Sequence, residues 1–330
     1  MKIVRPLALV LLLCTLFLLV SCGEQGSPAD SSAVSSEVVS AASEPVSEPV
    51  SEPVVLDDSI TITVTPKSGE ELSATGNGMV TLATAAKFAS GDVVTVQLAE
   101  GQHYLAITLN KKMGEAIVYL PDGVFTYKYP SDAANYYPSE MIRSKNVITA
   151  RIPTSEELLA TRNLAFNPYD SKNADATVYP HASSKNQYNS SEFGAHNVLD
   201  GMTKNTAHGL YPYQSWGPNE TVKKNDYLLV DFAHAVKADT LTLYLRADFS
   251  SGHDAYFSEV TVEFSDGSSI VINPTRTKDA QSFDLGGVTT SFVKLTGFVT
   301  DKAKGTWAGY TEVEVTGQEL GVQKYSIPHF

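Results

Sequence analysis

The sequence predicts an all-β fold: two β-sandwich, jelly-roll-like domains joined by a short helix and preceded by a disordered tether. From residue 57 onward, short runs of alternating apolar and polar residues recur, separated by glycine, proline and aspartate. The chain has 330 residues, a length that accommodates about two domains. Long amphipathic helices are missing from the pattern, which argues against the α/β fold of a transporter's solute-binding protein.

The N-terminal segment has the pattern of an export signal. Two basic residues precede an apolar run at residues 7–20, which has the length of a signal-peptide core and is short for a membrane span. The following Ser-Cys-Gly, centred on Cys22, resembles the lipobox of bacterial lipoproteins. The resemblance implies removal of residues 1–21, acylation of Cys22, and lipid anchoring at the extracellular face of a bacterial cell membrane. A plain secretory signal with a chance cysteine is the alternative.

The segment from Cys22 to residue 56 is predicted to be a disordered linker. Three consecutive Ser-Glu-Pro-Val repeats begin at Ser43, and residues 23–56 contain six acidic residues and no basic one. Recurrent proline prevents helix and sheet formation, and like charges repel each other. Fully extended, such a linker reaches roughly 100 Å, enough to hold a folded region away from a membrane.

Charge and cysteine content exclude several classes of function. The chain has 24 Lys and Arg against 37 Asp and Glu, a net charge of −13, so a broad basic surface for nucleic acid is excluded. Both cysteines, Cys14 and Cys22, lie near the N-terminus, and they cannot form a disulfide framework or a four-thiolate zinc site. Nucleophile-elbow, His-Glu-x-x-His and glycine-rich phosphate-loop motifs are missing as well, so we expect no enzyme activity.

Residues 57–153 are predicted to form the first β-sandwich domain. Alternating apolar residues indicate strands at residues 61–64, 93–98, 104–109 and 116–120. The capping-box spacing of Thr154 and Glu157 then predicts a connecting helix over residues 154–162.

Residues 163–319 are predicted to form the second β-sandwich domain, followed by a tail at residues 320–330. The residues expected on the buried faces of its strands are Leu241, Leu243, Leu245, Val260, Val262, Phe264, Val293, Leu295, Val313 and Val315. Asp266 and Gly267 predict a hairpin turn. Sandwiches of this kind place their functional groups in the loops at one end.

Five segments of the second domain carry a family resemblance. They are Asn163-Leu-Ala, Asn197-Val-Leu-Asp-Gly, Tyr227-Leu-Leu-Val-Asp-Phe, Val260-Thr-Val-Glu-Phe-Ser-Asp-Gly and Glu312-Val-Glu-Val-Thr-Gly. Taken in order, they resemble the coagulation-factor-type C (discoidin) domains and the family 32 carbohydrate-binding modules. The resemblance implies a galactose-binding-like β-sandwich. It also implies a structural calcium ion held by Asp200, by Thr203 or Thr206, and by Glu312.

The chain around Gly201 is rich in oxygen-bearing side chains: Asp200 precedes the glycine, and Thr203, Asn205 and Thr206 follow it. A calcium ion takes six to eight oxygen ligands from carboxylates, hydroxyls and carbonyls. The alternative is an Asx-turn with threonine caps that satisfy the loop backbone.

A second group combines aromatic rings with hydrogen-bonding side chains near the expected strand ends. Its members are His208, Tyr211, Tyr213, Gln214, Trp216, Arg246, Asp248, His253, Asp254 and Tyr256. Sugars present apolar faces that stack on aromatic rings and hydroxyls that need fixed donors and acceptors. Trp216 is predicted to be the stacking platform and Arg246 a hydroxyl partner. In the alternative interpretation, Tyr211 and Tyr213 are core residues, and Arg246 and Asp248 form a structural ion pair. If Trp216 is not the platform, Trp307 and Tyr310 are the next candidates.

The sequence therefore predicts a noncatalytic, membrane-anchored extracellular protein that binds a glycan or polysaccharide through loops of its second domain. Two alternatives remain: a glycan-active enzyme, glycosidase or esterase, with an unrecognised site, and a surface adhesion or scaffold protein with a protein ligand. We expect a monomer that contacts the membrane through its lipid anchor alone and does not bind nucleic acid.

Overall fold

The computed structural model describes residues 57–322, apart from residues 86, 132–136, 140–145, 173–175, 220–221, 251 and 302–304. The predicted export signal, Cys22, the linker and most of the predicted tail lie outside the described residues. Strands account for nearly all the regular structure of the described part, as the all-β prediction requires. Among the described residues, no helix is long and apolar enough to span a membrane.

Two four-stranded antiparallel sheets form the N-terminal β-sandwich. Its strands are β1 (Ser59–Thr65), β2 (Leu72–Asn77), β3 (Met79–Thr84), β4 (Val93–Leu98), β5 (Tyr104–Thr108), β6 (Ala116–Tyr119), β7 (Val124–Lys128) and β8 (Asn146–Arg151). One sheet has the order β2-β1-β4-β7 and the other the order β3-β8-β5-β6. Ile60, Ile62 and Val64 are buried, while their neighbours on β1 are more exposed. The apolar residues that alternate with polar ones in the sequence therefore lie on the strand face that points into the core.

A single turn of helix, α1 (Ser155–Leu159), follows the first sandwich. Thr154 and Glu157 form the predicted capping box, in which the Thr154 hydroxyl accepts the Glu157 N–H and the Glu157 carboxylate accepts the Thr154 N–H. The helix ends before the predicted residue 162, because Ala160 has an extended backbone. The chain then enters strand β9 (Arg162–Asn163).

A seven-stranded sheet forms the C-terminal β-sandwich. Besides β9 its strands are β10 (His181–Ser184), β11 (Leu228–Leu245), β12 (Tyr256–Phe264), β13 (Ser269–Ile272), β14 (Gln281–Asp301) and β15 (Tyr310–Glu319). Their order is β13-β12-β14-β11-β15-β9, with β10 also paired to β11. The pairing of the long strands β11 and β14 shifts its register at two places, and irregularities of this kind bend a strand locally. The predicted hairpin turn is confirmed between β12 and β13, where Gly267 has a φ of +85°.

The two sandwiches have separate hydrophobic cores, and their described residues belong to one compact unit. The segment after β9 contributes to both, since Leu164 lies in the second core while Tyr169 and Val178 lie in the first. A polar contact to Glu319 also joins the sandwiches: its carboxylate accepts the hydroxyl of Tyr104, on β5, at 3.3 Å. The same carboxylate accepts Arg162 of the neighbouring β9 at 2.6 Å.

Candidate functional site

The candidate site lies where β11 ends and three loops meet. Strand β11 ends at Leu245, and the backbone N–H of Ala247 donates to the carbonyl of Asn205 at 2.7 Å. The loop before β15 is held to the loop after β11 by the Trp307 N–H, which donates to the His253 carbonyl at 3.3 Å. Backbone hydrogen bonds therefore fix the relative positions of the three loops.

Arg246 and Asp254 form a buried ion pair beneath these loops. The Arg246 Nε donates to Asp254 Oδ1 at 3.1 Å, and the two side chains are 5% and 0% exposed. Burial lowers the pKa of Arg246, and the negative charge of Asp254 opposes that shift. Asp254 also accepts the backbone N–H of Asp248 through Oδ2 at 2.8 Å. Its carboxylate therefore binds the Arg246 side chain with one oxygen and the Asp248 backbone with the other.

Two histidines and a tryptophan, all partly exposed, adjoin this buried ion pair. The rings of His208 and His253 stack with centroids 4.0 Å apart and planes 12° apart, and the Trp307 ring lies 6.4 Å from that of His253 at 21°. Each histidine has a carboxylate at Nδ1: Asp248 at 3.1 Å from His208, and Asp254 at 2.7 Å from His253. The three rings are each about one-third exposed.

These residues are called the His–Trp cluster below. Its members are His208, Arg246, Asp248, His253, Asp254 and Trp307. The cluster places aromatic faces, imidazole nitrogens and carboxylates at one partly exposed position, above a guanidinium that is almost fully buried.

The prediction that Trp216 is an exposed stacking platform is wrong. The Trp216 side chain is fully buried, and its ring stacks on that of Tyr310 at 5.9 Å and 13°. The two residues also exchange backbone hydrogen bonds, at 2.8 and 3.1 Å. Gly309 permits this pairing, because a Cβ at that position would lie 2.3 Å from the Trp216 carbonyl oxygen. Trp216 and Tyr310 are therefore core residues, and of the alternative platform pair only Trp307 is partly exposed.

The predicted tyrosines are placed outside the cluster. Tyr211 and Tyr213 are partly exposed in the same loop as His208, and Tyr256 begins β12, where its hydroxyl donates to Asp301. In the described part of the chain, no hydrogen bond or ring contact joins these three tyrosines to the cluster. Of the predicted ligand residues, the structure thus brings together His208, Arg246, Asp248 and His253.

Asp254 and Trp307 complete the cluster, although the sequence analysis assigns neither of them a specific role in sugar binding. Asp254 was in the polar and aromatic group, and Trp307 was the next place for a platform. Two signals favour them: an acidic residue beside a histidine, and a tryptophan in the loop before the last strand.

The predicted calcium ligands lie at a second position, below the loop that follows Gly201. Asp200 and Glu312 are 4% and 0% exposed. Asp200 accepts the Met202 N–H at 2.8 Å through Oδ1 and the Gln214 side-chain amide at 2.7 Å through Oδ2. Both oxygens of Glu312 lie 3.1 Å from the Gly201 nitrogen.

Burial dominates the electrostatics of this carboxyl pair. It raises the pKa of Asp200 to about 8, and burial together with the charge of Asp200 raises the pKa of Glu312 well above its ordinary value. Among the described residues, no lysine, arginine or histidine forms an ion pair with either carboxylate. Two buried acids that influence each other electrostatically, without a counter-charge among the described residues, are a donor set that suits a divalent cation.

The predicted threonine ligands are exposed, and in the described part of the chain no hydrogen bond links Thr203 or Thr206 to the carboxyl pair. The hydrogen bond from the Met202 N–H to Asp200 is the Asx-turn of the alternative interpretation. Asp200 and Glu312 therefore fit a cation site, whereas the threonines make no contact that supports a ligand role.

No protein-family model matches the chain. A search of curated proteins finds no match either. Solved structures with similarity include chitosan-binding module 1 of a chitosanase/glucanase from Paenibacillus sp. IK-5, with 17% identity, a TM-score of 0.33, and coverage of 47% of this chain and 99% of that one. The family 32 module from C. perfringens NanJ, in complex with galactose, has 15% identity, a TM-score of 0.32, and coverage of 41% and 91%.

A Streptococcus pneumoniae fucose-binding module has 13% identity, a TM-score of 0.34, and coverage of 48% of this chain and 96% of that one. TM-scores and identities of this size carry no argument about what this chain does.

Proposed function

We propose that the loop end of the C-terminal sandwich binds a glycan through the His–Trp cluster. The observation that carries the proposal is the near-parallel arrangement of the His208, His253 and Trp307 rings, partly exposed and held beside fixed polar groups. The apolar face of a sugar ring stacks on Trp307. Sugar hydroxyls, which are both donors and acceptors, pair with the imidazoles and with Asp248.

Arg246 supports the proposal through an unsatisfied donor. Its Nη2 is buried, and among the described residues it has no hydrogen-bond partner. A buried donor without a partner is costly, and a ligand oxygen would satisfy it once the groups that cover Nη2 move aside. Because the ion pair with Asp254 is already desolvated, Arg246 is pre-organised and little is lost in ordering it when a ligand binds.

The charge of the cluster favours a neutral sugar over an acidic one. Arg246 contributes one positive charge, against the carboxylates of Asp248 and Asp254. The carboxylates outnumber the guanidinium, which disfavours a uronate or sialate carboxylate.

We propose that the site binds without catalysis. Glycoside hydrolysis needs two carboxyl groups that flank the scissile bond and reach it. Asp254 is fully buried and paired with Arg246, so it does not reach a glycosidic bond as a free acid. Asp248 is then the one acid of the cluster that remains for catalysis, and hydrolysis needs two.

We also propose that calcium binds at Asp200 and Glu312 and stabilises the loop. The support is the buried carboxyl pair without a cationic partner in the described part of the chain. Calcium would supply positive charge there and hold the loop after Gly201 against β15. Its role is structural, since this pair is separate from the His–Trp cluster.

The lipobox-like sequence at Cys22 leads us to propose a lipid-anchored protein on the extracellular face of a bacterial membrane. Its support is the sequence pattern alone, because Cys22 lies outside the described residues. A glycan-binding domain held beyond the membrane by residues 22–56 has access to surface and extracellular polysaccharide.

A glycan array tests the proposed function directly. The full chain is applied with calcium to an array that includes galactose, fucose and chitosan oligosaccharides, and hits are quantified by calorimetry. We expect saturable binding that His208→Ala and His253→Ala both weaken, and no release of reducing sugar. Binding that is unchanged in both variants would reject the site, and turnover of the bound sugar would reject the noncatalytic role.

A further inference from the structure

Three side chains of the His–Trp cluster bring different ligand atoms together. His208, His253 and Asp254 each offer one nitrogen or oxygen atom, and these atoms all lie within 4.8 Å of one another. We propose that they form a binding site for a divalent transition-metal ion, with zinc as the preferred ion. This site is distinct from the carboxyl pair at Asp200, and it does not depend on glycan binding.

The donor set selects the class of metal. Two imidazole nitrogens and one carboxylate oxygen suit zinc and its neighbours in the first transition series. Calcium and magnesium prefer sites made of oxygen atoms. The same chain therefore holds two cation sites of different chemistry, since Asp200 and Glu312 offer oxygen alone.

The spacing of the ligand atoms is compatible with zinc after small adjustments, in which the closest pair of atoms separates and the more distant atoms approach. Zinc bonds of about 2.0–2.2 Å in tetrahedral geometry separate ligand atoms by roughly 3.4 Å. Asp254 Oδ1 and His253 Nδ1 are 2.7 Å apart, so these two atoms need only separate slightly when the metal replaces the proton between them. His208 is about one-third exposed on its loop, where there is room for the remaining shift.

Neighbouring groups orient two of the three ligands through hydrogen bonds, as the partners of metal ligands do in metal proteins. Asp248 Oδ2 lies 3.1 Å from His208 Nδ1 and fixes the direction of that ring. Arg246 Nε and the Asp248 N–H hold the Asp254 carboxylate from two sides, at 3.1 and 2.8 Å. These two ligands are thus positioned before any ion binds.

The charge of the cluster also favours a cation. The two carboxylates outnumber the single guanidinium, so a divalent ion enters a region of negative charge. Three protein ligands leave one tetrahedral position for water or another donor, the arrangement of an open zinc site.

Calorimetric titration of the full chain with zinc chloride tests the site, after the protein has been stripped with chelator and returned to calcium-containing buffer without sugar. We expect one saturable equivalent of zinc, weakened by His208→Gln and by His253→Gln. Asp248→Asn removes an orienting group and is expected to lower zinc affinity by about 10- to 100-fold. His103→Gln, in the first sandwich, is the matched control and should bind zinc as the parent does.

The proposal is overturned if zinc shows no saturable binding, or if both histidine variants, with melting temperatures equal to that of the parent, bind zinc as the parent does. A magnesium titration that reproduces the zinc isotherm would overturn the preference for a transition metal. Because the titration contains no sugar, its failure is separate from a failure of glycan binding. A chain that binds sugar but no zinc would reject this site alone.

Discussion

Arg246 and Asp254 are joined by an Nε–Oδ1 hydrogen bond of 3.1 Å, and neither side chain reaches solvent appreciably. The pair connects the end of β11 to the loop that carries His253, and its carboxylate also holds the backbone of Asp248. A buried charge pair of this kind is not in itself a source of stability, because both charges lose hydration. Its structural effect is to fix the residues that present the His–Trp cluster.

Removal of one partner should therefore destabilise the C-terminal sandwich strongly. Asp254→Ala leaves the Arg246 charge buried and uncompensated, and we expect a loss of about 3–5 kcal/mol in the free energy of unfolding, measured by urea denaturation. The control is Asp239→Ala, which breaks the exposed Lys237–Asp239 pair and should cost at most about 1 kcal/mol. Equal losses in the two variants would contradict the structural role of the buried pair.

The two tryptophans should separate binding from stability. Trp307→Ala removes a partly exposed ring, and the loss of a central aromatic anchor commonly costs about 2 kcal/mol of binding free energy, or roughly thirtyfold in affinity. Trp216→Ala removes a fully buried ring and should cost about 3–5 kcal/mol of unfolding free energy. Calorimetry with the best glycan and urea denaturation measure the two effects. The assignment is wrong if Trp307→Ala binds the glycan like the parent.

Calcium should stabilise the C-terminal sandwich. A ligand that binds only the folded state contributes about 2.7 kcal/mol at a hundredfold excess over its Kd, so chelator should lower the melting temperature. Asp200→Asn removes one of the two buried carboxylates and should abolish the difference between calcium and chelator. Identical melting of the parent chain in both conditions would show that the loop is merely capped by its hydrogen bonds.

The salt bridge between Arg151 and Glu157 should contribute stability that depends on pH. The hydrogen bond from Arg151 lowers the pKa of Glu157 to about 2, below the value of about 4.3 for an unfolded chain. A lowered carboxyl pKa means that the contribution is present above about pH 4.3 and is lost as the pH falls toward 2.

The side chain of Glu157 is 38% exposed, so solvent screening limits this contribution to about 1 kcal/mol or less. Glu157→Gln retains an oxygen acceptor for the Thr154 N–H and is the variant to compare. The parent should be the more stable of the two at pH 7, and the two unfolding free energies should converge near pH 2. A difference that persists at low pH would assign the effect to the helix cap.

Replacement of Cys22 tests the predicted anchor. Cys22→Ser removes the acylated thiol, so the protein should move from the detergent-soluble membrane fraction to the medium or remain unprocessed. The measurement is fractionation followed by immunoblotting and intact mass. Normal processing and membrane retention of this variant would reject the lipoprotein interpretation.

Local patterns predicted much of the fold because strand faces alternate residue by residue. The burial of Ile60 and Ile62, the turn at Gly267 and the capping box at Thr154 each depend on a few neighbouring residues. The end of α1 was placed too late because it depends on a distant contact. Asn163 pairs with Thr316 in the sheet, and that partner strand cannot be identified from the helix sequence.

The sequence by itself determined the all-β class, the alternation of strand faces and the residue types available at the loop end, since these follow from local periodicity and composition. The tertiary structure decided which aromatic residue is exposed. Trp216 is turned inward by backbone pairing with Tyr310, whereas Trp307 stays partly exposed beside His253. The physical reason is that burial of a loop residue depends on backbone contacts between segments far apart in the chain, and such contacts exist only once the sheet has formed.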